Sequence, residues 1–422
     1  MTSLPLKRGS LAFHLSARAA VVTGAYVAAA VAVLLTVIVL RGLVPPATLS
    51  RFLGFVLIGS LAGGLEPGTV KAAALGEAGV RGSTTAAFLA AGAIKGLAAS
   101  LVLAPLWRFA DPAVSVATLA WTPGLAVAGF CGTELRALFD LRGRYALAIT
   151  VKQGSVAGGV ALAGLLMALG VPVSEAVGLS VLARLAFLGL VANQAAGGTV
   201  QGRAGWTSTR RQVARLLADR RWIDLAAVSV ISAFGGGADR LFGLRYLSPA
   251  AYGGYFLTYE LFSKFWLIPY LLSPILFARR AAGAADDGFA GVAWSLVALA
   301  GAAYLTLTAA LLVLAPDFLR QVVGASFGLA TLAFAAGVVV NSFSQLRVAE
   351  LQGDGRSRRA AVATALGAAV SVPLFMVASR AFGGGGLLLA WLVKSILELA
   401  VLMAGGAGAT RKRGDGAVPS GR

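Results

Sequence analysis

The sequence predicts an all-α polytopic membrane protein with about twelve transmembrane helices, arranged as two pseudo-symmetric six-helix lobes with both termini in the cytoplasm. Three observations support this fold class: the composition, the length of the apolar runs and the distribution of basic residues. Apolar residues make up 58% of the chain and charged residues 13%, and the mean hydropathy is +0.83. Soluble domains are nearer half apolar and a quarter charged, so this composition is typical of a protein embedded in lipid.

The apolar runs have the length that a membrane span needs. A helix requires about 20 apolar residues to cross roughly 30 Å of hydrocarbon. The first run exceeds the roughly 7–15 apolar residues of a signal peptide, and we interpret it as an uncleaved span. The predicted spans cover residues 19–40, 49–70, 84–107, 112–134, 145–169, 173–195, 222–244, 249–278, 289–315, 323–346, 359–379 and 383–405.

Basic residues concentrate in alternate loops. One set of loops holds most of them, including the arginines between Arg203 and Arg221, whereas the other set holds single arginines such as Arg51 and Arg108. Because lysine and arginine are enriched in cytoplasmic loops, both termini are predicted to be cytoplasmic. This topology also accounts for the net charge of +19. The sequence shows no basic stripe with interleaved aromatic residues, so nucleic acid is not an expected partner.

The same pattern divides the chain into two lobes and three basic segments. Two stretches that contain prolines, "LVPPATLSRFLGF" from Leu43 and "YLSPAAYGGYFLT" from Tyr246, align as traces of a parallel repeat. From Thr207 the linker between the lobes is predicted to form a basic amphipathic helix on the inner membrane surface. The predicted segments are an N-terminal tail (1–18), a first lobe (19–195), a linker (196–221), a second lobe (222–405) and a C-terminal tail (406–422).

The inventory of reactive residues argues against an enzyme. Cys131 is the single cysteine and His14 the single histidine, so the chain has no internal disulfide and no Cys/His zinc site. A Ser-His-Asp triad could use only His14. The sequence contains no Walker motif. No catalytic residue, metal or cofactor is therefore predicted.

Two long stretches of the second lobe resemble a known family. They are "GGGADRLFGLRYLSPAAYGGYFLTYELFSKFWLIPYLLSPILFARRA" from Gly235 and "LQGDGRSRRAAVATALGAAVSVPLFMVASRAFGGGGLLLAWLVKSILELAVL" from Leu351. They resemble the polysaccharide flippases of the O-antigen type, within the multidrug/oligosaccharidyl-lipid/polysaccharide exporter superfamily. The first lobe resembles them less, since "LVPPATLS" stands where the family usually has "LGPEEFG".

This resemblance implies a function and a location. Such flippases move a polyprenyl-diphosphate-linked oligosaccharide from the inner to the outer leaflet of the bacterial plasma membrane. They work by alternating access of two six-helix lobes, without ATP. The expected partners are therefore the anionic lipid-linked glycan, membrane lipids, and a polysaccharide polymerase or glycosyltransferases.

Ionisable and polar residues inside the apolar runs are the candidate cargo contacts. Such residues are costly in lipid and usually face the interior of the helix bundle, where cations and hydrogen-bond donors would suit a diphosphate. Each also has a structural interpretation, such as an ion pair that serves packing, a lysine that reaches the interface, or an aromatic residue in the interfacial belt. The candidates are Lys95, Arg184, Lys264, Lys394, Lys152, Asn341, Gln345 and Tyr259.

Acidic residues in the spans are candidates for coupling transport to an ion. Asp239 lies near the end of the seventh predicted span, and Glu66 precedes Pro67 in the second. Glu260 is the third candidate, although it can also neutralise Lys264 one helical turn later. Two alternative functions stay open: a cation-coupled multidrug exporter of the same fold, and a membrane-embedded polysaccharide polymerase or glycosyltransferase. The short outer loops leave little room for the active site of such an enzyme.

Overall fold

A computed structural model describes residues 8–65, 68–70, 84–141, 144, 147–148, 150–195, 203–281, 288–323 and 328–404 of the chain. These residues are almost entirely helical. In chain order the helices are α1 (Arg8–Leu43), α2 (Pro46–Gly64), α3 (Thr85–Ala110), α4 (Thr122–Leu141), α5 (Ser155–Ala168), α6 (Val173–Ala195), α7 (Arg203–Ala218), α8 (Arg221–Tyr246), α9 (Pro249–Phe262), α10 (Leu267–Ala281), α11 (Phe289–Leu314), α12 (Pro316–Val323), α13 (Leu329–Gly353) and α14 (Ser357–Ala404).

The helices confirm the predicted polytopic fold. Within the described residues, 10 helices are long and apolar enough to cross a membrane, and Val27–Leu43 of α1 is a shorter apolar helix. Helix α14 has 48 residues and contains a break at Gly383, whose φ is 62°. An unbroken helix of that length would measure about 72 Å, more than twice the hydrocarbon thickness, so α14 supplies two spans. With α14 counted as two spans and Val27–Leu43 as one, the described residues supply the predicted twelve.

Local sequence signals fix where several helices begin. Helices α2 and α9 both have proline at the first position, where the missing N–H costs nothing. These are Pro46 and Pro249, which lie in the two stretches that the sequence aligns as a repeat. The Ser248 hydroxyl caps α9 by accepting from the Ala251 N–H at 3.3 Å. Thr84 caps α3 in the same way.

Several spans end at different residues from those predicted. The fourth span was expected to end at 134, but α4 continues to Leu141, and the tenth, expected over 323–346, runs from Leu329 to Gly353. Helix α2 ends at Gly64 instead of continuing to 70. In α4 and α13, helical hydrogen bonding continues past Arg136 and Arg347, the basic residues near the predicted ends. Charged residues placed at span ends by the sequence therefore lie inside helices.

Glycines allow the helices to approach closely. A Cβ added at Gly96 of α3 would lie 2.9 Å from the Val127 Cα of α4, and one at Gly129 would lie 2.7 Å from the Ala62 backbone of α2. In the second lobe, a Cβ at Gly337 of α13 would lie 3.0 Å from the Leu392 backbone of α14. In lipid, such close backbone contacts replace the hydrophobic effect as the main source of helix association.

Helices α2 and α8 pack against each other across the two lobes. An added Cβ at Gly64 of α2 would lie 3.5 Å from the Ala233 Cβ of α8, and one at Gly237 would lie 2.6 Å from the Leu61 side chain. The amphipathic helix α7 follows the first lobe, and its Gln212 side chain accepts hydrogen bonds from the Thr84 N–H and hydroxyl at 2.9 and 3.0 Å. The linker helix is thereby tied to the beginning of α3.

Candidate functional site

Asp239 is held at the centre of the second lobe by side chains from three helices. Its side chain, on α8, is fully buried. The Oδ2 atom accepts hydrogen bonds from the Tyr255 hydroxyl of α9 and, at 2.8 Å, from the Trp391 Nε1–H of α14. The Oδ1 atom accepts no hydrogen bond among the described residues and lies 3.9 Å from the Arg240 Nε. The carboxylate therefore keeps one oxygen available to a proton or a cation.

A group of aromatic rings surrounds this carboxylate. The Arg240 guanidinium carbon lies 4.4 Å from the centroid of the Tyr259 ring, within the range of a cation–π interaction. The Tyr259 ring in turn lies 5.4 Å from Phe334, 5.8 Å from Trp266 and 6.0 Å from Trp391. These rings exclude water from the Asp239–Arg240 pair, which strengthens its electrostatic interactions.

A second polar group lies between α13 and α14. The Lys394 Nζ and the Glu398 Oε2 are 2.6 Å apart, and the same Oε2 accepts from the Asn341 Nδ2 at 3.1 Å. Gln345 donates to the Asn341 Oδ1 at 3.1 Å. The Lys394 Nζ also lies 4.7 Å from the Trp391 ring centroid. Trp391 therefore connects this group to Asp239, and the structure unites five of the predicted site residues in one network: Asp239, Tyr259, Asn341, Gln345 and Lys394.

Glu260 and Lys264 form the ion pair that their spacing predicts. Their Oε2 and Nζ atoms are 2.6 Å apart, beside the Ser263–Trp266 3₁₀ turn that separates α9 from α10. The Lys264 side chain is 34% exposed, against 7% for Lys394. Lys264 is thus the more accessible of the two lysines, and an anion that reached either of them would have to compete with a glutamate.

Lys95 of the first lobe contacts the second lobe. Its Nζ donates to the Thr69 hydroxyl at 2.6 Å and lies 3.7 Å from the ring centroid of Trp222, on α8. Thr69 and the Val70 N–H also hydrogen-bond the buried carboxylate of Glu134, on α4. These contacts link α4 to Thr69 and Val70, which follow α2. Thr69 in turn contacts Lys95 of α3, whose ammonium group lies over Trp222 of α8.

Arg184 and Lys152 stand apart from the second-lobe network. Arg184 of α6 is 4% exposed and lies against Gly59 of α2 and Gly159 of α5. Lys152 lies in the π-helical turn Thr150–Gly154 and is half-buried. The contacts of the described residues join neither side chain to Lys264 or Lys394. Glu66 lies outside the described residues.

A cavity of about 580 Å³ lies away from this chemistry. It is formed where α1 meets α2, where α3 meets α4 and where α5 meets α6, at the end of the bundle predicted to face outwards. Its polar lining includes Arg51, Ser115 and Ser174. None of the predicted site residues lines it, so the candidate site rests on the side-chain network.

Solved transporter structures share this architecture. A eukaryotic MATE transporter, AtDTX14, superposes with a TM-score of 0.62 at 13% identity, covering 93% of this chain and 95% of that one. A variant of the Vibrio cholerae MATE transporter VcmN gives 0.59 at 14% identity, covering 94% and 97%. A MOP superfamily transporter from Pyrococcus furiosus, whose binding pocket is described as having reverse polarity, gives 0.55 at 14% identity, covering 92% and 93%.

The chain has the fold of the MATE transporters. No family model matches the sequence. No curated protein matches it either. The similarity therefore establishes the MATE fold over almost the whole chain. The nature of the cargo has to be inferred from the side chains of the site.

Two residues of the MATE-fold interior were missed by the sequence analysis. Glu134 is the last residue of the fourth predicted span and was not named as a candidate, but it lies within α4, is 2% exposed and accepts a hydrogen bond from the Val70 N–H. An acidic residue in the run "AVAGFCGTELRALF" was the available signal. Trp391 was taken as part of an apolar span. Its contact with Asp239 joins residues far apart in the sequence, and the pattern of apolar residues carries no sign of it.

Proposed function

We propose that this chain is a transporter of the multidrug/oligosaccharidyl-lipid/polysaccharide exporter superfamily that flips a polyprenyl-diphosphate-linked oligosaccharide across the bacterial plasma membrane. The observation that carries the proposal is the placement of two lysine–glutamate pairs, Lys264–Glu260 and Lys394–Glu398, within the second lobe of a MATE fold. A transporter interior that contains ammonium groups suits an anionic cargo. The Pyrococcus furiosus transporter, whose reverse pocket polarity is reported to suggest a different function, indicates that pocket polarity differs between proteins of this fold.

The pairs suggest how a diphosphate is bound and released. Because a lysine ammonium has three N–H donors, a phosphate oxygen would accept from one while the glutamate keeps another, and such charged hydrogen bonds contribute about 1.5–3 kcal/mol each. When the cargo leaves, the glutamate one turn away still pairs with the lysine, so neither buried charge stands alone in either state. Lysine suits this sharing because its single flexible charge does not impose the fixed bidentate geometry of arginine.

Asp239 is the proposed coupling residue. Its Oδ1 atom has no hydrogen-bond donor among the described residues, while Oδ2 is held by Tyr255 and Trp391. Binding of a proton or a small cation at Oδ1 would change the charge at a point where α8, α9 and α14 meet. Helix α8 also packs against α2 of the first lobe, so this change in charge would bias the movement of one lobe against the other that exposes the cargo site.

The second candidate function is cation-coupled drug export. The aromatic rings of Tyr259, Trp266 and Trp391 around Asp239 favour it, since aromatic faces and a carboxylate are the groups that bind organic cations. Against it, the Arg240 guanidinium already occupies the Tyr259 face on which an organic cation would stack.

Transport by purified protein in proteoliposomes distinguishes the two functions. The assay compares a fluorescent lipid-linked oligosaccharide with a fluorescent organic cation. Replacing both members of a pair, as in Lys264→Gln with Glu260→Gln, avoids leaving an unpaired charge. We expect this variant to lose roughly tenfold to a hundredfold of the lipid translocation rate, the equivalent of one charged hydrogen bond.

Arg320→Gln is the control, since Arg320 is 62% exposed and pairs with Asp317 at one end of the bundle. It should translocate the lipid at the wild-type rate. Export of the dye by wild-type protein, together with no movement of the lipid, would replace the flippase proposal with drug export.

A further inference from the structure

Two polar side chains on one face of α6 lack the partners that their burial requires. Arg184 is 4% exposed, and within the described part of the chain its Nε has no hydrogen-bond acceptor. Ser180 precedes it by one helical turn and is fully buried, and its Oγ is also without a partner. Residues four apart share a helix face, so both groups point into the same space.

Glycines from two other helices provide that space. A Cβ at Gly159 of α5 would lie 2.5 Å from the Arg184 Cδ and 3.3 Å from the Ser180 Oγ. A Cβ at Gly59 of α2 would lie 3.7 Å from the Arg184 Nη1. The Arg184 side chain therefore fits only because residue 159 has no Cβ atom. Its guanidinium group lies between α2, α5 and α6.

The charge of Arg184 needs compensation. An arginine does not lose its proton inside a protein, so burial cannot remove its charge. A buried charge without a partner costs several kcal/mol. Other buried cations of this chain have partners: Lys394 has Glu398, and Arg240 has Asp239 and the Tyr259 ring. Arg184 has no such acidic or aromatic partner among the described residues.

We propose that α2, α5 and α6 form a binding site for a small inorganic anion of the size of chloride, held by the Arg184 guanidinium and the Ser180 hydroxyl. A monoatomic anion can accept hydrogen bonds from both donors and needs less room than a polyatomic one. The site lies inside the first lobe, apart from the lysines proposed to bind the cargo. It is therefore a separate ion site and holds whether or not the cargo is a lipid-linked glycan.

Thermal unfolding of the purified full-length protein in detergent tests the proposal. The melting temperature is measured in sodium chloride, sodium gluconate and sodium phosphate of equal ionic strength. We expect chloride to raise the melting temperature saturably over gluconate, as a ligand that binds only the folded state does. Arg184→Gln should abolish the difference. Arg320→Gln, which removes an exposed arginine, should keep it.

The Ser180→Ala variant provides a milder perturbation in case Arg184→Gln does not fold. Loss of one hydrogen bond to an ion should raise the apparent dissociation constant for chloride about tenfold. Equal melting temperatures of the wild-type protein in chloride and gluconate would overturn the proposal. So would stabilisation by phosphate alone, which would assign the site to a phosphate-bearing ligand.

Bromide locates the ion directly. In crystals of the wild-type protein grown with bromide, an anomalous peak is expected within hydrogen-bonding distance of the Arg184 guanidinium. A bromide-containing crystal without a peak at this position would also overturn the proposal, even if chloride stabilises the protein elsewhere.

Discussion

Replacing Lys394 with methionine should destabilise the protein far more than replacing the whole ion pair. The Lys394 and Glu398 side chains are 7% and 9% exposed, and their charged atoms are 2.6 Å apart. In Lys394→Met the Glu398 carboxylate keeps only the Asn341 amide as a donor among the contacts seen here. Breaking a buried ion pair by removing one partner costs about 3–5 kcal/mol, because the remaining charge stays buried.

The double variant Lys394→Met with Glu398→Gln should recover most of this loss. The glutamine keeps the size of the glutamate and can still accept from Asn341, and no charge remains. With about 2.1 cal/mol/K of unfolding entropy per residue, the single variant should lower the melting temperature by roughly 3–6 °C. The double variant should lie within about 2 °C of the wild type by the same conversion.

The assay is thermal unfolding of the four members of this double-mutant cycle in one detergent at one heating rate. Glu398→Gln alone completes the cycle and leaves Lys394 over the Trp391 ring. If Lys394→Met has the same melting temperature as the wild type, the ion pair contributes nothing to stability and the account of a paired, buried lysine is wrong. If the double variant melts no higher than Lys394→Met, the loss comes from packing and not from the stranded charge.

Three further predictions concern coupling, packing and topology. Asp239→Asn should fold and reach the membrane at wild-type abundance but lose ion-driven transport, measured as ion-dependent cargo uptake in vesicles; full transport would make Asp239 structural. Gly129→Ala should cost about 1–3 kcal/mol, since its Cβ would lie 2.7 Å from the Ala62 backbone. The control is Gly189→Ala, because no atom lies within 4 Å of a Cβ added there. It should be neutral or slightly stabilising in the same unfolding assay. Cytoplasmic reporters fused after Arg221 and at the C-terminus should be active, and an active one near Val171 would reverse the predicted orientation.

The sequence predicted the local features of the site well. The Glu260–Lys264 pair follows from spacing on a helix, since residues four apart lie on one face, and Lys394–Glu398 has the same spacing. The break at Gly383 falls where the twelfth predicted span begins. These features depend on a few neighbouring residues, which a sequence displays directly.

The features that escaped prediction depend on contacts between distant helices. Trp391 looks like any apolar residue until the fold places its N–H against Asp239. Arg184 could be recognised as an unusual charge, but only the glycines of α2 and α5 show where its side chain goes. Glu134 stands at the end of a predicted span, and only its contact with Val70 shows that it is buried. In each case the physical cause is tertiary packing, which periodicity does not encode.

The central claim is that transport requires the two lobes to move relative to one another. Gly64 of α2 and Ala233 of α8 face each other across the two lobes. A Cβ atom at position 64 would lie 3.5 Å from the Ala233 Cβ, a separation that suits a disulfide between cysteines at the two positions. The measurement is cargo translocation by the Gly64→Cys/Ala233→Cys protein, with Cys131→Ser, before and after oxidation. Gly235→Cys/Ala368→Cys, within the second lobe, is the matched control. We predict that oxidation stops translocation only for the pair that joins the lobes and that a reductant restores it. Undiminished translocation by the oxidised, cross-linked protein would contradict the account.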